Sequence, residues 1–224
     1  MKVLLLLFSL SLLNLNTCQS GAGGHVVEEV MQQQEVIDLV KKNELKAVAN
    51  ALEKGANVDT QDQHKRSLLL IATINEQTDM AKLLVAHGAD VNRQDDRLDS
   101  PFLYAGASGQ TELVKLFLAN GARFDVFNRY HGTALIPACE RGHVGTVKVL
   151  VQTKGFPVDH VNRLGWTGLM EAIVLGDGSE KYQQIVQILK DGGADLRIPD
   201  HDGITPLQHA RTRGFKEIVK ILEE

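Results

Sequence analysis

Residues 200–210 read Asp200-His201-Asp202-Gly203-Ile204-Thr205-Pro206-Leu207-Gln208-His209-Ala210 and form the most complete motif of this 224-residue chain. Asp200 to Gly203 can form a tight turn, because Asp hydrogen-bonds its own backbone and Gly tolerates positive φ. Thr205 can cap a helix that begins at Pro206, where the missing N–H costs nothing. Gly214 can end this helix, and apolar residues then return at helical spacing over 218–222. The motif therefore predicts a turn and two short helices, a unit too small to bury its own apolar face.

The same unit recurs towards the amino terminus. Equivalent turn residues are 33 positions apart from Asp62 to Asp95 and from Asp95 to Asn128, then 34 to Asn162 and 38 to Asp200. The Thr-Pro-Leu position is filled by Ser67-Leu68-Leu69, Ser100-Pro101-Phe102, Thr133-Ala134-Leu135 and Thr167-Gly168-Leu169. Gly-Ala followed by Asn, Asp or Arg ends the unit at 55–57, 88–90, 121–123 and 193–195. With these motifs in register, the sequence resembles the ankyrin repeat family from about residue 34 to residue 222.

The resemblance implies an all-α fold, an ankyrin-repeat solenoid of helix-turn-helix units with projecting finger turns. It places N-terminal capping helices or a degenerate repeat at 29–61, ankyrin repeats at 62–94, 95–127, 128–161 and 162–199, and a C-terminal capping repeat at 200–224. The repeat at 162–199 holds five extra residues, which we expect to lengthen the loop between its helices after a helix-ending Gly176. Glu171, on the inner helix of that repeat, is expected to bond the backbone of a finger.

Residues 1–20 are a different kind of sequence. Lys2 precedes an apolar run at 3–13 that is too short to span a hydrocarbon core of ~30 Å. This pattern predicts a signal peptide at 1–20 and an exported protein, followed by a flexible spacer at 21–28. Two processing routes stay open. Leu15-Asn16-Thr17-Cys18 resembles the lipobox of bacterial lipoproteins, in which Cys18 would be lipidated, whereas ordinary cleavage would follow Ser20 or Ala22. Either route predicts the periplasm or, with the lipid as the membrane tether, the periplasmic face of the outer membrane.

Composition and motifs argue against several classes of function. The formal net charge is −4 and no basic stripe occurs, which disfavours nucleic-acid binding. The eight His residues lack metal-ligand spacing, and Cys139, the single Cys after the leader, is expected to pack in the core. Residues 176–181 lack the spacing of a phosphate loop, and residues 200–203 lack the further ligands of a calcium loop. No catalytic, metal or cofactor-binding residue is predicted, and the chain is not expected to be an enzyme.

Binding to another protein is the predicted function. The resemblance implies that partners contact the finger tips and the ends of the inner helices. Trp, Tyr and Arg dominate interface energetics, and Tyr130 and Trp166 fall on adjacent fingers with arginines nearby. An alternative stays open in which Trp166 covers the neighbouring finger and Tyr130 bonds a backbone carbonyl. The predicted partner-binding residues are Arg66, Arg97, Asp99, Arg129, Tyr130, His131, Glu140, Arg141, Arg163 and Trp166.

The resemblance leaves the partner open between a toxin and an enzyme. Exported bacterial ankyrin-repeat proteins include immunity proteins that neutralise lipase toxins, and accessory proteins that support catalase or other stress enzymes. We favour the immunity role, because a lipid anchor would hold the protein where an incoming toxin acts. The alternatives are support of a periplasmic stress enzyme such as catalase and, in a different class, a secreted effector that acts inside a host cell.

Overall fold

The computed structural model describes the chain from residue 22 to residue 224, with side chains from residue 31 onwards. The predicted signal peptide at 1–20, with Cys18, therefore lies outside the described residues. The described chain is helical and contains no strand, and none of its helices is long and apolar enough to cross a membrane. Its helices are α1 (Ala22–Lys41), α2 (Leu45–Glu53), α3 (Leu68–Ile74), α4 (Thr78–Ala86), α5 (Pro101–Ala107), α6 (Thr111–Ala119), α7 (Leu135–Glu140), α8 (Val144–Gln152), α9 (Gly168–Val174), α10 (Glu180–Asp191), α11 (Pro206–Thr212) and α12 (Lys216–Glu223).

The helices pair along the chain, and the pairs stack. The odd-numbered helices lie side by side as an inner layer, and the even-numbered helices form an outer layer. Apolar side chains of both layers make one continuous core that extends from Val36 to Ile218. Each pair therefore buries its apolar face against the next pair, and the predicted all-α ankyrin-repeat solenoid is confirmed.

A five-residue finger turn precedes each inner helix from α3 onwards and is held by its first side chain. The Oδ1 atom of that Asp or Asn accepts hydrogen bonds from the backbone N–H groups two and four residues later, at 2.8–3.1 Å. Asp and Asn form such turns because their short side chains reach their own backbone. We number these turns finger 1 (62–66), finger 2 (95–99), finger 3 (128–132), finger 4 (162–166) and finger 5 (200–204).

Side-chain caps follow the fingers, with one exception. The hydroxyl of the residue before the helix accepts a hydrogen bond from the N–H three residues later at Ser67, Ser100, Thr167 and Thr205. At the equivalent Thr133 the buried hydroxyl has no partner, and α7 begins one residue later in register. In α3, α5, α9 and α11, the backbone N–H four residues after the capping residue donates to that residue's carbonyl. Pro137 occupies this position in α7 and has no N–H, so the first turn of α7 lacks this bond.

A side chain of the following repeat donates to a carbonyl at or just beyond the carboxyl end of each inner helix from α1 to α9. Carbonyl groups at a helix end have no intrahelical donor, so a side chain of the next unit satisfies them and ties the two units together. The bonds run from Gln77 to the carbonyl of Lys41 (3.4 Å), Gln110 to Thr73 (2.9 Å), Arg141 to Ala107 (2.7 Å), Tyr182 to Glu140 (2.8 Å) and Arg213 to Gly176 (2.8 Å).

The insertion in the repeat at 162–199 differs from its predicted form. The helix α10 has 12 residues where α8 has 9, and the loop at 175–179 has five residues where the loop at 75–77 has three. Three of the extra residues therefore lengthen the helix and two lengthen the loop. The glycine with the left-handed conformation after α9 is Gly178, with φ +74°, and not Gly176. A Cβ at Gly176 would lie 2.2 Å from the carbonyl oxygen of Ala172.

The spacer predicted at 21–28 is also different, because α1 begins at Ala22 and the backbone at 22–28 is helical. Glycines weaken a helix by roughly 1 kcal/mol each. Gly23 and Gly24 occupy the first turn of a 20-residue helix, whose later part is anchored in the core by Val36, Ile37 and Val40.

Candidate partner-binding groove

A groove of about 290 Å³ opens on the inner face of the solenoid, where finger 2 and finger 3 meet α5 and α7. A backbone bond joins finger 2 to finger 1, from Asp96 N–H to the His64 carbonyl (3.1 Å), and another joins finger 4 to finger 3, from Arg163 N–H to the Tyr130 carbonyl (2.9 Å). Between fingers 2 and 3 the described contact is an ion pair of side chains, with Arg129 Nη1 3.7 Å from Asp99 Oδ2. The groove is lined by Arg97, Asp99, Leu103, Tyr104, Ala107, Ser108, Asn128, Arg129, Tyr130, Pro137, Glu140 and Arg141.

Charged groups dominate the electrostatics of the groove. Burial raises the pKa of Asp99 above its ordinary value, and the neighbouring Asp95 carboxylate raises this pKa further. The guanidinium groups of Arg129, Arg97 and Arg141 act against that shift. An ion pair with Arg129 therefore offsets only part of what burial costs the Asp99 carboxylate.

Two side chains of the groove are held in place. The Arg129 guanidinium carbon lies 4.9 Å from the centroid of the Tyr130 ring, within the range of a cation–π contact. Arg141 Nη1 donates a hydrogen bond to the carbonyl of Ala107 at 2.7 Å, which fixes its side chain across the end of α5. These contacts orient charged donors toward the groove before any partner binds.

Other groups of the groove have unused bonding capacity. Within the described structure, the guanidinium of Arg97 makes no hydrogen bond or ion pair, and neither does the carboxylate of Glu140. Tyr130 is 49% exposed, and its hydroxyl makes no hydrogen bond among the described residues. The structure therefore does not contain the alternative bond from Tyr130 to a backbone carbonyl. A partner could therefore engage these groups without first breaking a bond.

Six of the ten predicted partner-binding residues line this groove, namely Arg97, Asp99, Arg129, Tyr130, Glu140 and Arg141. The other four lie outside it. Arg66 bonds Asp62 in its own finger at 2.6 Å, and the His131 ring packs 4.2 Å from the centroid of Phe127. Arg163 Nη1 donates to the carbonyl of Arg129 at 3.2 Å, and Trp166 is half-buried on finger 4.

Sequence reasoning missed Tyr104 and Leu98. Tyr104 lines the groove from α5, at the fifth position of the Thr-Pro-Leu motif, where the side chain points to the finger side of the helix. Leu98 is 42% exposed on finger 2 with φ +60°, a left-handed conformation that non-glycine residues adopt rarely. The sequence holds a signal for this position, because the polar residues Glu171 and His209 occupy it in the last two repeats.

Glu171 bonds a finger, but through a side chain and not through the predicted backbone. Its Oε1 accepts a hydrogen bond from Asn162 Nδ2 at 2.8 Å, and Asn162 in turn organises finger 4. Burial raises the pKa of Glu171 to about 7, with a further contribution from the nearby Glu140 carboxylate, while the Asn162 bond acts in the opposite direction. The next repeat repeats the geometry, with His209 Nε2 2.7 Å from Asp200 Oδ2.

A second groove, of about 590 Å³, lies on the outer face between α8 and α10. It is lined by Val144, Lys148, Val151, Gln152, Gln184, Gln187, Ile188, Asp191 and Gly192. Among residues 31–224 no group of three or more His, Cys, Asp or Glu side chains is placed to hold a metal ion. Cys139 is buried, and burial raises the pKa of its thiol well above the ordinary value, which keeps it in the unreactive protonated form.

The repeats, fingers and inner-face groove define a repeat scaffold, and comparison with known proteins identifies its family. The family model described as ankyrin repeats (3 copies) matches residues 36–128 and 102–200, which together make up more than half of the chain. The chain therefore belongs to the ankyrin repeat family. Ankyrin repeats mediate binding to other proteins, and the fold is generally a non-enzymatic scaffold.

Individual relatives agree with this assignment. The ankyrin repeat protein YahD of Escherichia coli K12 is 49% identical over 94 residues, which are 42% of this chain and 47% of YahD. The match thus spans about half of that relative. A crystal structure of an ankyrin repeat domain from Acinetobacter baumannii AYE is 46% identical with a TM-score of 0.82, over 84% of this chain and 96% of that domain. The ankyrin repeat protein EF0377 is 38% identical, also with a TM-score of 0.82, over the same shares of the two chains.

Proposed function

We propose that this chain is an exported ankyrin-repeat protein that binds a partner protein in the groove between fingers 2 and 3. The observation that carries the proposal is the convergence there of Arg97, Arg129, Arg141 and the half-exposed Tyr130. Tyr and Arg are enriched among residues whose truncation costs an interface ~2 kcal/mol or more. A rigid, preorganised surface also loses little conformational freedom on binding.

The groove is the centre of the proposed interface and not its whole extent. A stable protein interface buries on the order of 800 Å² per partner, more than a groove of this size offers. We expect exposed residues beside the groove to complete the interface, with Leu98 of finger 2 on one side and Leu164 of finger 4 on the other. Both side chains are apolar and would extend the apolar part of the contact, while polar finger residues around them would form its rim.

The proposed location rests on residues 1–20. A basic start followed by a short apolar run supports export by a signal peptide, either with lipidation of Cys18 or with ordinary cleavage. We propose that the protein acts in the periplasm or on the periplasmic face of the outer membrane, and that its partner is a toxin such as a lipase effector, which it neutralises. A lipase-like effector gene beside this gene would support the immunity role, whereas a neighbouring catalase gene would support the alternative of an accessory protein.

The test begins with affinity purification of the partner from native envelope, followed by measurement of its dissociation constant. Tyr130→Ala should raise this constant at least ~30-fold, the equivalent of ~2 kcal/mol for one interface hot spot. Because Tyr130 is exposed, the variant should unfold at the same denaturant concentration as the wild type.

Lys148→Ala, in the outer-face groove, is the matched control and should leave the dissociation constant within twofold. Unchanged affinity in Tyr130→Ala, or a loss confined to Lys148→Ala, would refute the assigned surface.

A further inference from the structure

The cationic groups of the inner-face groove are not balanced by its acids. Arg97, Arg129 and Arg141 face two carboxylates, those of Asp99 and Glu140. Asp99 is already engaged with Arg129 across the finger junction. The groove therefore carries a formal excess of one positive charge, although the chain as a whole has a formal net charge of −4.

The excess positive charge includes Arg97, whose guanidinium N–H donors are unused. Its guanidinium has no hydrogen bond or ion pair among the described residues, whereas its backbone N–H is fixed by Asp95 Oδ1 at 2.8 Å. The finger thus holds the Cα of Arg97 in place while the planar fork of the side chain stays available. Such a fork pairs with a carboxylate through two parallel hydrogen bonds.

The size and charge of the groove restrict the anion. A volume of about 290 Å³ accommodates one or two side chains. A single carboxylate would bring the formal charge of the groove to zero. A row of phosphates would place several negative charges beside Asp99 and Glu140, which is more than the excess of one positive charge in the lining can balance.

We propose that the groove receives an Asp or Glu side chain from an acidic segment of the partner protein, paired with Arg97 and seated beside Arg141. This inference rests on the proposed function and names the chemistry of the partner's contact. Tyr130, with Arg129 stacked on its ring, provides an apolar surface for the residue next to that carboxylate.

The direct test uses a probe of known composition. A six-residue glutamate peptide with blocked ends is titrated into the full mature chain, and an otherwise identical glutamine peptide is titrated in parallel. The Nε–Hε resonance of Arg97 is followed by NMR. We expect a saturable shift with the glutamate peptide only, which falls at least fivefold in apparent affinity between 50 and 500 mM salt, because paired surface charges are screened.

Arg97→Gln should abolish the binding of the glutamate peptide. Arg197→Gln is the matched control, since Arg197 is an exposed arginine paired with Asp195 far along the chain from the groove, and it should have no effect. Equal shifts with both peptides, or no shift with either, would overturn the proposal.

The purified native partner separates failure of this inference from failure of the proposed function. We expect Arg97→Glu to weaken partner binding more than tenfold and Arg97→Gln to weaken it less. If Tyr130→Ala weakens binding while both Arg97 variants stay within twofold of the wild type, the proposed surface stands and the carboxylate contact is wrong. If none of the three variants changes the affinity, the proposed surface itself is wrong.

Discussion

The inner-face groove between fingers 2 and 3 and the outer-face groove between α8 and α10 differ in size and in construction. The outer groove is about twice as large, at 590 Å³ against 290 Å³. Its lining comes from α8, α10 and the residue after α10, and includes Val144, Val151 and Ile188, which are partly buried against the core. The inner groove is walled by finger turns and by the ends of short helices, which place Arg97, Tyr130 and Arg141 side by side.

We place the proposed binding site in the smaller groove because of its free polar groups and not because of its volume. A helix surface in contact with a neighbouring helix presents polar side chains at its edges and packs its apolar ones. Finger tips pack less against neighbouring helices, and in the inner groove the side chains of Arg97 and Tyr130 keep free bonding capacity. Hydrogen bonds and ion pairs stabilise the inner groove, whereas steric packing stabilises the outer groove. Substitutions in the two grooves should therefore have different effects on stability.

The largest effect is expected beneath the inner face, at Glu171. Its pKa is raised from 4.5 to about 7, so the folded state binds a proton more tightly than the unfolded state between these pH values. The contribution of protonated Glu171 to the free energy of unfolding is fully present below pH 4.5 and is lost as the pH rises through 7. The loss is about 3 kcal/mol, because each pKa unit corresponds to ~1.4 kcal/mol. Glu171→Gln keeps an acceptor for Asn162, and should therefore be about 3 kcal/mol more stable than the wild type at pH 8 and equal to it at pH 4.5.

Urea unfolding of both proteins at several pH values between 4.5 and 8 measures this difference. The exposed Glu217→Gln serves as the control and should follow the wild type throughout. A Glu171→Gln variant that is less stable at pH 8 would show that the ionised carboxylate is favourable in the fold.

The outer groove should respond to size and not to pH. A Cβ on Gly192 would lie 2.0 Å from Val151 Cγ1, although its φ of −81° is ordinary for any residue. Gly192→Ala should therefore destabilise the chain by about 2 kcal/mol through overpacking, with no change in partner affinity. Val151→Ala in the same chain removes the clashing atom, so the double variant should recover most of the loss in a denaturant double-mutant cycle. Simple additivity of the two substitutions would contradict the clash.

A smaller effect is expected where the insertion supports the inner groove. Tyr182 donates its hydroxyl to the carbonyl of Glu140 at 2.8 Å, at the end of α7 that carries two groove residues. Tyr182→Phe leaves that carbonyl without its described donor and should cost about 1 kcal/mol in the free energy of unfolding. Tyr104→Phe is the matched control, because the Tyr104 hydroxyl makes no described hydrogen bond and its loss should not change stability. Equal unfolding midpoints for wild type and Tyr182→Phe would show that water replaces the bond.

Much of the fold was predictable because it depends on local sequence patterns that repeat along the chain. The turn residues at Asp62, Asp95 and Asn128 recur at a constant spacing, and a short Asx side chain bonds its own backbone regardless of what surrounds it. The resemblance to ankyrin repeats confirmed by the comparisons follows from these same positions. The partner-binding residues stay a prediction, although six of them lie in one groove.

Errors arose where the outcome depends on groups distant in the sequence. Gly176 and Gly178 are equally good turn formers locally. Gly178 takes the left-handed turn, with φ +74°, and lies against the ring of Phe215 from the following unit, which would be 2.5 Å from a Cβ at Gly178. Glycine composition at 21–28 likewise does not reveal that the backbone from Ala22 continues into a helix whose end is anchored in the core.

The amino-acid sequence by itself determined the chemistry of each finger and the capping of most inner helices, because each depends on residues within about five positions of one another. Only the tertiary structure decided that Tyr182 bonds Glu140, that Glu171 reaches Asn162 with a raised pKa, and that Arg97 and Arg141 line the same groove. The physical reason is that burial and bonding between repeats depend on how neighbouring units stack, and no single unit encodes that arrangement.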